Sequence, residues 1–593
     1  MKQLKTRWAD HVDVNNVLGE YPRPLMRRES YINLNGIWKY AIRDTKGFPK
    51  KMDGDILVPF SPEALLSGVN RQLKPQEYLW YKRKIPEKVR IEEGKRWLLH
   101  FGAVDQYAVV YINGKRAGSH LGGYLPFSID VTEYLKKENN YVTVKVRDFT
   151  DTSYHSRGKQ KLQRGGMFYT AQSGIWQTVW MEQVPESYME YVKITPLYDH
   201  TSVMIQIDKN PSAEIEEDIE YEVAITARKM WPVRAKGRVG TPLVVKLPYM
   251  RSWSPEDPFL YDVSITMKED KIDSYFAMRK IEVKNDEKGI PRMYLNNKPY
   301  FQKGVLDQGY WPDGLYTAPT DEAMIYDIQK MKDLGFNMIR KHIKIEPQRW
   351  YYHCDRMGML VWQDMVNGGG EYKSWYVTYL ATAMQLFHIR ARDNKLYLMG
   401  SQNVKGRKQF EEEVKKTIEL LYSHPSIVVW VVFNEGWGQF ETHRITDLVR
   451  KMDPDRLIDS ASGWFDQGSG DICSIHEYFF PLRVKPEKRV TALTEFGGYS
   501  LSLPGHSMYE KKVYGYKIFK TQKALTKGYE KLIKKQVLPN IRRGVSATIY
   551  TQLSDVEEEV NGIVTYDRKR TKMNEKIILK MNEMMHLSEK SGS

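Results

Sequence analysis

The chain has 593 residues. A chain of this length is too long to fold around a single hydrophobic core, so we expect about two to four domains. Hydrophobic residues make up 41% and charged residues 28%, as in ordinary folded proteins. The sequence contains no run of about 18 apolar residues, so no transmembrane helix and no membrane partner are expected. The formal net charge is +16, but lysines and arginines are scattered and not clustered, which argues against a nucleic-acid partner.

Two cysteines, Cys354 and Cys473, lie far apart and neither belongs to a Cys-x-x-Cys motif. This favours a reducing compartment without a disulfide framework. The first residues contain no apolar segment of the kind a secretory signal has, so we expect a cytoplasmic protein. No metal or other cofactor is expected, because the sequence has no clustered Cys and His ligands and no Gly-rich phosphate loop.

Residues 1–185 are predicted to form a β-sandwich of jelly-roll type. Stretches such as residues 141–146 alternate apolar and polar side chains with a period of two, and turn signals such as Asn113-Gly114 recur. Residues 186–285 alternate in the same way. Their length and several short strands predict a small immunoglobulin-like β-sandwich.

From residue 286 to residue 593, short apolar runs alternate with helical stretches. The first helix is predicted between Thr320, which can cap it, and Gly335, which ends it. The candidate strands cover residues 301–305, 338–340, 360–362, 427–433, 457–458, 472–475, 492–494 and 547–550. Eight strands in about 300 residues predict a (β/α)8 TIM barrel, although residues 459–471 are too few and too rich in Gly and Ser for a full helix.

Two glutamates follow buried strands of this predicted barrel. The fourth candidate strand leads into Asn434 and Glu435, and the seventh leads into Glu495. Because the C-terminal ends of barrel strands surround one cleft, both carboxylates are expected to project into it. Glycosidic-bond hydrolysis needs such a pair, one to protonate the leaving oxygen and one to attack the anomeric carbon or direct a water. A lone glutamate at a strand end is more often a surface residue, but a charge between apolar runs is costly unless it is used or paired.

These segments resemble glycoside hydrolase family 2, which includes β-galactosidases, β-glucuronidases and β-mannosidases. Residues 424–435, ending in Phe-Asn-Glu, resemble its acid/base segment, and residues 494–498, Thr-Glu-Phe-Gly-Gly, resemble its nucleophile strand. Residues 33–38 and 173–176 resemble the two ends of its sugar-binding domain. The resemblance implies a retaining enzyme with Glu435 as general acid/base, Glu495 as nucleophile and carboxyl groups about 5–5.5 Å apart.

The resemblance also implies substrate-binding residues at the strand ends. Asn434 matches an asparagine that hydrogen-bonds the sugar 2-hydroxyl. Arg340 and Tyr478 match groups beside the nucleophile, where Arg340 would favour the ionised carboxylate; an ordinary ion pair explains Arg340 equally well. The other residues expected in the cleft are His342, Asp364, His476, Gln552 and Asp555, although a cleft histidine is often only structural.

The sugar is predicted to be neutral. β-Glucuronidases of this family have an Asn-x-Lys pair after the eighth strand, whereas residues 555–563 here contain Asp555 and Glu559 and no lysine, so a substrate carboxylate would be repelled. We expect an exo-acting β-galactosidase, with glucose, mannose and arabinose as alternative sugars. A second hypothesis is a carbohydrate-binding protein without catalysis, which the presence of both glutamates disfavours. The oligomeric state is left open, including a homo-oligomer.

Overall fold

The computed structural model describes residues 3–210, 219–228, 230–386, 391–485, 487–510 and 513–587. Its N-terminal part is a sandwich of two antiparallel sheets. In hydrogen-bonded order, the first sheet contains Tyr31–Asn33, Val179–Pro185, Lys95–Phe101 and Phe127–Asp130. The second contains Gly54–Val58, Gly36–Arg43, Tyr78–Lys84, Tyr141–Arg147, Tyr107–Ile112 and Lys115–Leu121. Apolar side chains of both sheets share one buried core, for example Trp38, Leu99 and Val144, as the alternating pattern predicted.

A second, smaller sandwich follows. One sheet contains Met189–Leu197, Ser202–Lys209 and Leu243–Lys246, and the other contains Met230–Arg238, Glu220–Ala227, Tyr261–Met267 and Asp270–Phe276. A three-stranded sheet of Ile281–Asn285, Pro291–Leu295 and Lys298–Pro299 then leads into the barrel. Its Met293 lies in the same buried cluster as Leu360 and Val429 of the barrel strands.

The eight predicted barrel strands are all present and form one parallel sheet. From first to eighth they are Gln302–Asp307, Met338–Lys341, Leu360–Asp364, Ile427–Asn434, Leu457–Ser462, Ile472–Glu477, Val490–Gly497 and Val545–Thr551. The first strand pairs with both the second and the eighth, so the sheet curls into a nearly closed barrel. The multidomain fold with a C-terminal TIM barrel is therefore confirmed.

Helices cover much of the outside of the barrel. The α-helices are Asp321–Asp333, Gln348–Met357, Ala381–Leu386, Val404–Leu421, Thr442–Met452, Gln522–Leu532, Leu538–Ile541 and Glu575–Met584, with π-helical segments at Trp375–Leu380 and Ile533–Val537. The Thr320 hydroxyl accepts a hydrogen bond from the Ala323 amide, as expected of the cap. Residues 463–471, all of them described, contain no helix, which confirms that expectation.

Short elements complete the chain. Two-residue strands pair at Val104–Asp105 with Gly174–Ile175, Gln160–Lys161 with Tyr169–Thr170, and Tyr499–Ser500 with Lys517–Ile518. Single 3-10 turns lie at Ala9–His11, Pro24–Met26, Leu65–Ser67, Thr132–Tyr134, Thr150–Thr152 and Tyr198–His200. Among the helices described, none has the length and apolar composition that crossing a membrane requires.

Candidate active site

Most of the predicted site residues meet at the C-terminal mouth of the barrel. Direct hydrogen bonds or ion pairs join eight of them into one network: Glu435, Glu495, Asn434, Arg340, His342, Asp364, His476 and Tyr478. The strand ends bring these residues together from positions up to 155 apart in the chain.

The two glutamates approach each other across the mouth. A carboxylate oxygen of Glu435 lies within 4.8 Å of one of Glu495. Glu435 follows the fourth strand with a positive φ of 53°, and its amide donates to the Ser462 carbonyl at 2.9 Å. Glu495 lies within the seventh strand, two residues before its end. This approach of single oxygen atoms favours the short carboxyl separation of about 5–5.5 Å over the roughly 6.5–9.5 Å that admits a water between the carboxyl groups.

Glu495 is held as a carboxylate. The Tyr478 hydroxyl donates to Oε2 at 2.6 Å, and Arg340 Nη1 donates to Oε1 at 3.3 Å. Burial is the largest single influence and raises the pKa of Glu495, but neighbouring charges, first His476 and then Arg340, together outweigh it and lower that pKa to about 2. The side chain is therefore ionised at neutral pH, as a nucleophile must be.

Arg340 connects Glu495 to the second and third strands. Its guanidinium is fully buried and donates two parallel hydrogen bonds to Asp364, at 2.9 and 3.0 Å. It also donates to Asn434 Oδ1 at 2.9 Å. The asparagine amide nitrogen is then the group left to donate to a substrate. Arg340 thus contacts Glu495 and forms a buried ion pair with Asp364, and its role beside a nucleophile stays a prediction.

His342 and Asp364 form the wall beside Arg340. Nδ1 of His342 lies 2.8 Å from Asp364 Oδ2, and burial holds the pKa of His342 well below its usual value. In the part of the chain that the structure describes, Nε2 of this neutral ring has no hydrogen-bond partner although it is buried. A substrate hydroxyl would satisfy it. Asp364 is occupied by Arg340 and His342, so its contact with substrate stays a prediction.

Gln552 and Asp555 lie in a neighbouring polar network. Gln552 accepts from Gln308 and donates to Asn561, both at 2.8 Å. Asp555 is buried in an ion pair with Lys572, with 2.5 Å between Nζ and Oδ1. Substrate binding by Gln552 and Asp555 stays a prediction.

The acidic stretch after the eighth strand has partners within the protein. Besides the ion pair of Asp555, Glu557 accepts from the Thr170 amide at 3.1 Å, and the Tyr169 hydroxyl donates to Glu559. Repulsion of a substrate carboxylate by these acids therefore no longer follows from their charge alone. The neutral sugar remains a prediction that rests on the missing Asn-x-Lys pair.

The N-terminal sandwich supplies a wall of the cleft that the sequence did not predict. Its segment at residues 157–170 contacts the barrel through Tyr169 and through Arg157, which donates to the Gly369 carbonyl at 2.5 Å. Phe168 meets Trp437, two residues after Glu435, edge to face at 6.2 Å between ring centroids. The positive charge of Lys159 lowers the pKa values of both Glu495 and His342. No local pattern marks these residues, because the contacts join segments hundreds of residues apart.

Glu435, His476 and Glu495 each offer one donor atom, and the three atoms lie within 4.8 Å of one another. Two carboxylates and an imidazole at this spacing are a donor set that divalent ions accept. The expectation that no metal takes part stays a prediction.

The Tyr478→Phe substitution is expected to move the acid limb of the kcat/KM profile to higher pH. The variant keeps the aromatic ring of residue 478 stacked on that of Tyr516, with 3.7 Å between the ring centroids, but removes the hydroxyl that donates to Glu495. A hydrogen bond to a charged group is worth about 1.5–3 kcal/mol, or about one to two pH units. Since the lost bond favours the ionised form, the pKa of Glu495 rises. Tyr516→Phe is the matched control, and superimposable profiles for Tyr478→Phe and wild type would contradict the assignment.

A (β/α)8 barrel with two carboxylates at its mouth, preceded by two β-sandwiches, has the architecture of a multidomain glycoside hydrolase. Comparison with known proteins identifies the family. The family model described as "Glycosyl hydrolases family 2, TIM barrel domain" matches residues 282–577. The model described as "Glycosyl hydrolases family 2, sugar binding domain" matches residues 69–185. The chain belongs to glycoside hydrolase family 2, and the resemblance noted in the sequence is confirmed.

Curated relatives are named either as β-glucuronidases or as β-galactosidases. The chain is 24% identical over 468 residues to a "Putative beta-glucuronidase" of Formosa agariphila, covering 74% of this chain and 51% of that protein. It is 24% identical over 499 residues to a "Beta-galactosidase" of Thermoanaerobacter pseudethanolicus, covering 79% of this chain and 61% of that protein. The chain thus spans about half to three fifths of the length of these relatives.

Solved structures share the fold along nearly the whole chain. A β-galacturonidase of this family from Eisenbergiella tayi, bound to galacturonate, superposes with a TM-score of 0.71 at 19% identity, covering 95% of this chain and 99% of that one. A Ruminococcus gnavus β-glucuronidase superposes with a TM-score of 0.73 at 16% identity, covering 96% and 99%. At these identities the likeness concerns the fold alone.

Proposed function

We propose that this protein is a retaining, exo-acting β-glycosidase in which Glu495 is the nucleophile and Glu435 the general acid/base. The observation that carries the proposal is the close approach of the two carboxylates, within 4.8 Å, at the mouth of the barrel. Retaining glycosidases need this short separation because one carboxylate attacks the anomeric carbon directly. Membership of glycoside hydrolase family 2 supports the same reaction class.

The environments of the two glutamates support this division of roles. Glu495 is ionised and 6% exposed, with Arg340 and Tyr478 on its two oxygens. Glu435 is 14% exposed and lies closer to solvent, where a leaving group departs and a water enters. In the first step Glu435 gives its proton to the leaving oxygen while Glu495 forms the glycosyl-enzyme. In the second step the Glu435 carboxylate removes a proton from water, which attacks the anomeric carbon and releases Glu495.

The first candidate sugar is a terminal β-galactoside. The missing Asn-x-Lys pair after the eighth strand disfavours a uronic acid, and one curated relative is named a β-galactosidase. A β-uronide is the second candidate, because the charge of Lys159 acts on the cleft and no described residue forms an ion pair with it. Relatives and structural neighbours named β-glucuronidase or β-galacturonidase also favour that class.

A panel of nitrophenyl β-glycosides tests both parts of this proposal. The panel contains the galactoside, glucoside, mannoside, arabinoside, glucuronide and galacturonide, and kcat/KM is measured for each. We expect the galactoside to have the highest value, because a neutral sugar needs no cationic group in the site. A uronide that is cleaved faster than every neutral glycoside would overturn the choice of sugar. Failure to cleave any member would overturn the reaction class.

A further inference from the structure

The part of the N-terminal sandwich that lines the cleft carries three cations in one short stretch, Arg157, Lys159 and Lys161, which we call the cationic wall. None of the three forms an ion pair with a residue that the structure describes. Arg164, a little further along the same segment, does so with Glu557, at 3.4 Å. Hydrolysis of a neutral sugar gives the cationic wall no role.

The cationic wall is fixed against the loop that follows the fourth barrel strand. The amides of Arg157 and Gly158 donate to the Asn367 carbonyl at 3.0 and 3.1 Å. The Asn367 side chain in turn donates to the Trp437 carbonyl at 3.0 Å. Gly158 has a positive φ of 61°, and a Cβ atom there would lie 2.9 Å from the Ile343 carbonyl oxygen, so the close approach requires glycine.

Lys161 lies at the end of the cationic wall nearest the acid/base residue. Its Nζ is 4.0 Å from the centroid of the Phe168 ring, whose face attracts an ammonium group. Phe168 meets Trp437 edge to face at 6.2 Å between centroids, and Trp437 is two residues after Glu435. Since the leaving group is proposed to depart past Glu435, Lys161 lies beside the space that a leaving group would occupy.

The charge of Lys161 is not balanced by its neighbours. Burial, and then the nearby charge of Arg157, lower the pKa of the Lys161 ammonium. Asp151 and Glu371 act in the opposite direction, but neither forms an ion pair with Lys161. The Glu371 carboxylate lies 3.8 Å from Lys373 instead. A bound anion would favour the charged form of Lys161.

The other two cations extend the positive charge along the cleft. Arg157 is buried, donates to the Gly369 carbonyl, and has no hydrogen-bond partner on Nε among the described residues. Lys159 acts on Glu495 and His342, at the nucleophile end. Burying a cation without an opposite charge is costly, so a charged ligand accounts for the wall better than a neutral one does.

We propose that Lys161, strengthened by the buried charge of Arg157, binds an anionic substituent of the leaving group. The substrate is then a β-glycoside in which the group next to the terminal sugar carries a carboxylate or a sulfate, as in an acidic oligosaccharide. The cations offset the repulsion between this anion and the two catalytic carboxylates. This inference rests on the proposed function, which supplies the reaction and the side on which the leaving group departs.

Three glycosides isolate the charge of the leaving group. Their aglycones are 4-(hydroxymethyl)benzoate, 4-(hydroxymethyl)benzenesulfonate, which stands for a sulfate, and the uncharged 4-(hydroxymethyl)benzamide. All three release a benzyl alcohol oxygen, so their need for a proton is nearly the same. All carry the sugar that the glycoside panel identifies. The measured quantity is the ratio of kcat/KM for each anion to kcat/KM for the amide. Because both values come from one enzyme preparation, any misfolded fraction of a variant cancels.

The wild-type enzyme is expected to prefer an anion roughly three- to tenfold, as for an ion pair between partly buried groups, and added salt should reduce this preference. Lys161→Gln removes the charge and should remove most of the preference, whereas Lys161→Glu should invert it. Lys193→Gln is the matched control. Lys193 Nζ also lies 4.0 Å over a ring, that of Tyr422, but Tyr422 precedes the fourth strand, at the end of the barrel opposite the mouth.

A preference for either anion that Lys161→Gln removes and Lys193→Gln keeps would support the inference, and the larger of the two ratios identifies the anionic group. A wild-type ratio of one or less, an unchanged ratio in Lys161→Gln, or an equal loss in Lys193→Gln would overturn it. Failure of the proposed function gives a different result, because none of the three glycosides and no member of the panel would then be cleaved. If the amide is cleaved and neither anion is preferred, only the present inference fails.

Discussion

Glu495→Ala is expected to lower kcat on the order of 10⁴-fold or more, because no other described group is placed to form the covalent intermediate. The fold should persist. Arg340 keeps its two hydrogen bonds to Asp364, and the Tyr478 hydroxyl keeps its contact with Thr551 at 2.9 Å. An unchanged Tm together with the lost activity would separate a catalytic role from a structural one.

Azide gives this variant a distinctive product. The vacated space lies on the α face of the sugar, opposite the leaving group, so azide bound there attacks once and yields an α-glycosyl azide. NMR of the product determines the anomer. Isolation of the β-azide would show that the two roles are reversed. Wild-type activity in Glu495→Ala would remove this residue from the mechanism.

Glu435→Ala is expected to fail in a way that depends on the leaving group. For alkyl glycosides kcat/KM should fall about 10²- to 10⁴-fold, the usual contribution of general acid catalysis. Dinitrophenyl glycosides need no proton, so their first step should continue and the glycosyl-enzyme should accumulate because no base activates water. Azide should then attack this intermediate from the β face and release a β-glycosyl azide.

The measurement that checks this prediction is pre-steady-state release of dinitrophenol, with and without azide. A burst followed by a slow phase that azide accelerates is expected. Equal losses for alkyl and dinitrophenyl glycosides, with no burst, would contradict the assignment of Glu435 as acid/base.

The barrel and its two glutamates could be predicted because their signals are local. Each strand is a short apolar run bounded by turn residues, and every one of the eight predicted runs overlaps an observed strand. Glu435 stands out because only Asn434 separates it from seven consecutive apolar residues. The strand ends were less well predicted. The fifth strand continues to Ser462, beyond the predicted end at residue 458, and this extension places the Ser462 hydroxyl beside His476.

The surroundings of the glutamates depend on contacts that have no local signal. Tyr169 reaches Glu559 across 390 residues, so the part of the sandwich in the cleft wall is visible only in the folded chain. The charge pattern after the eighth strand suggested that these acids face the substrate. Lys572 pairs with Asp555 from 17 residues away, and a charge that is neutralised by a later residue cannot be recognised from composition.

The central claim is a covalent intermediate on Glu495. A 2-deoxy-2-fluoro β-glycoside with a dinitrophenyl leaving group traps such an intermediate, because the fluorine slows both steps and the good leaving group restores the first. Mass spectrometry of the intact protein and of its peptides then locates the sugar. The account predicts one added fluoroglycosyl group, on the peptide that contains Glu495, released with the β configuration on reactivation. A label on Glu435, or release of the α anomer as the first product of the wild-type enzyme, would contradict it.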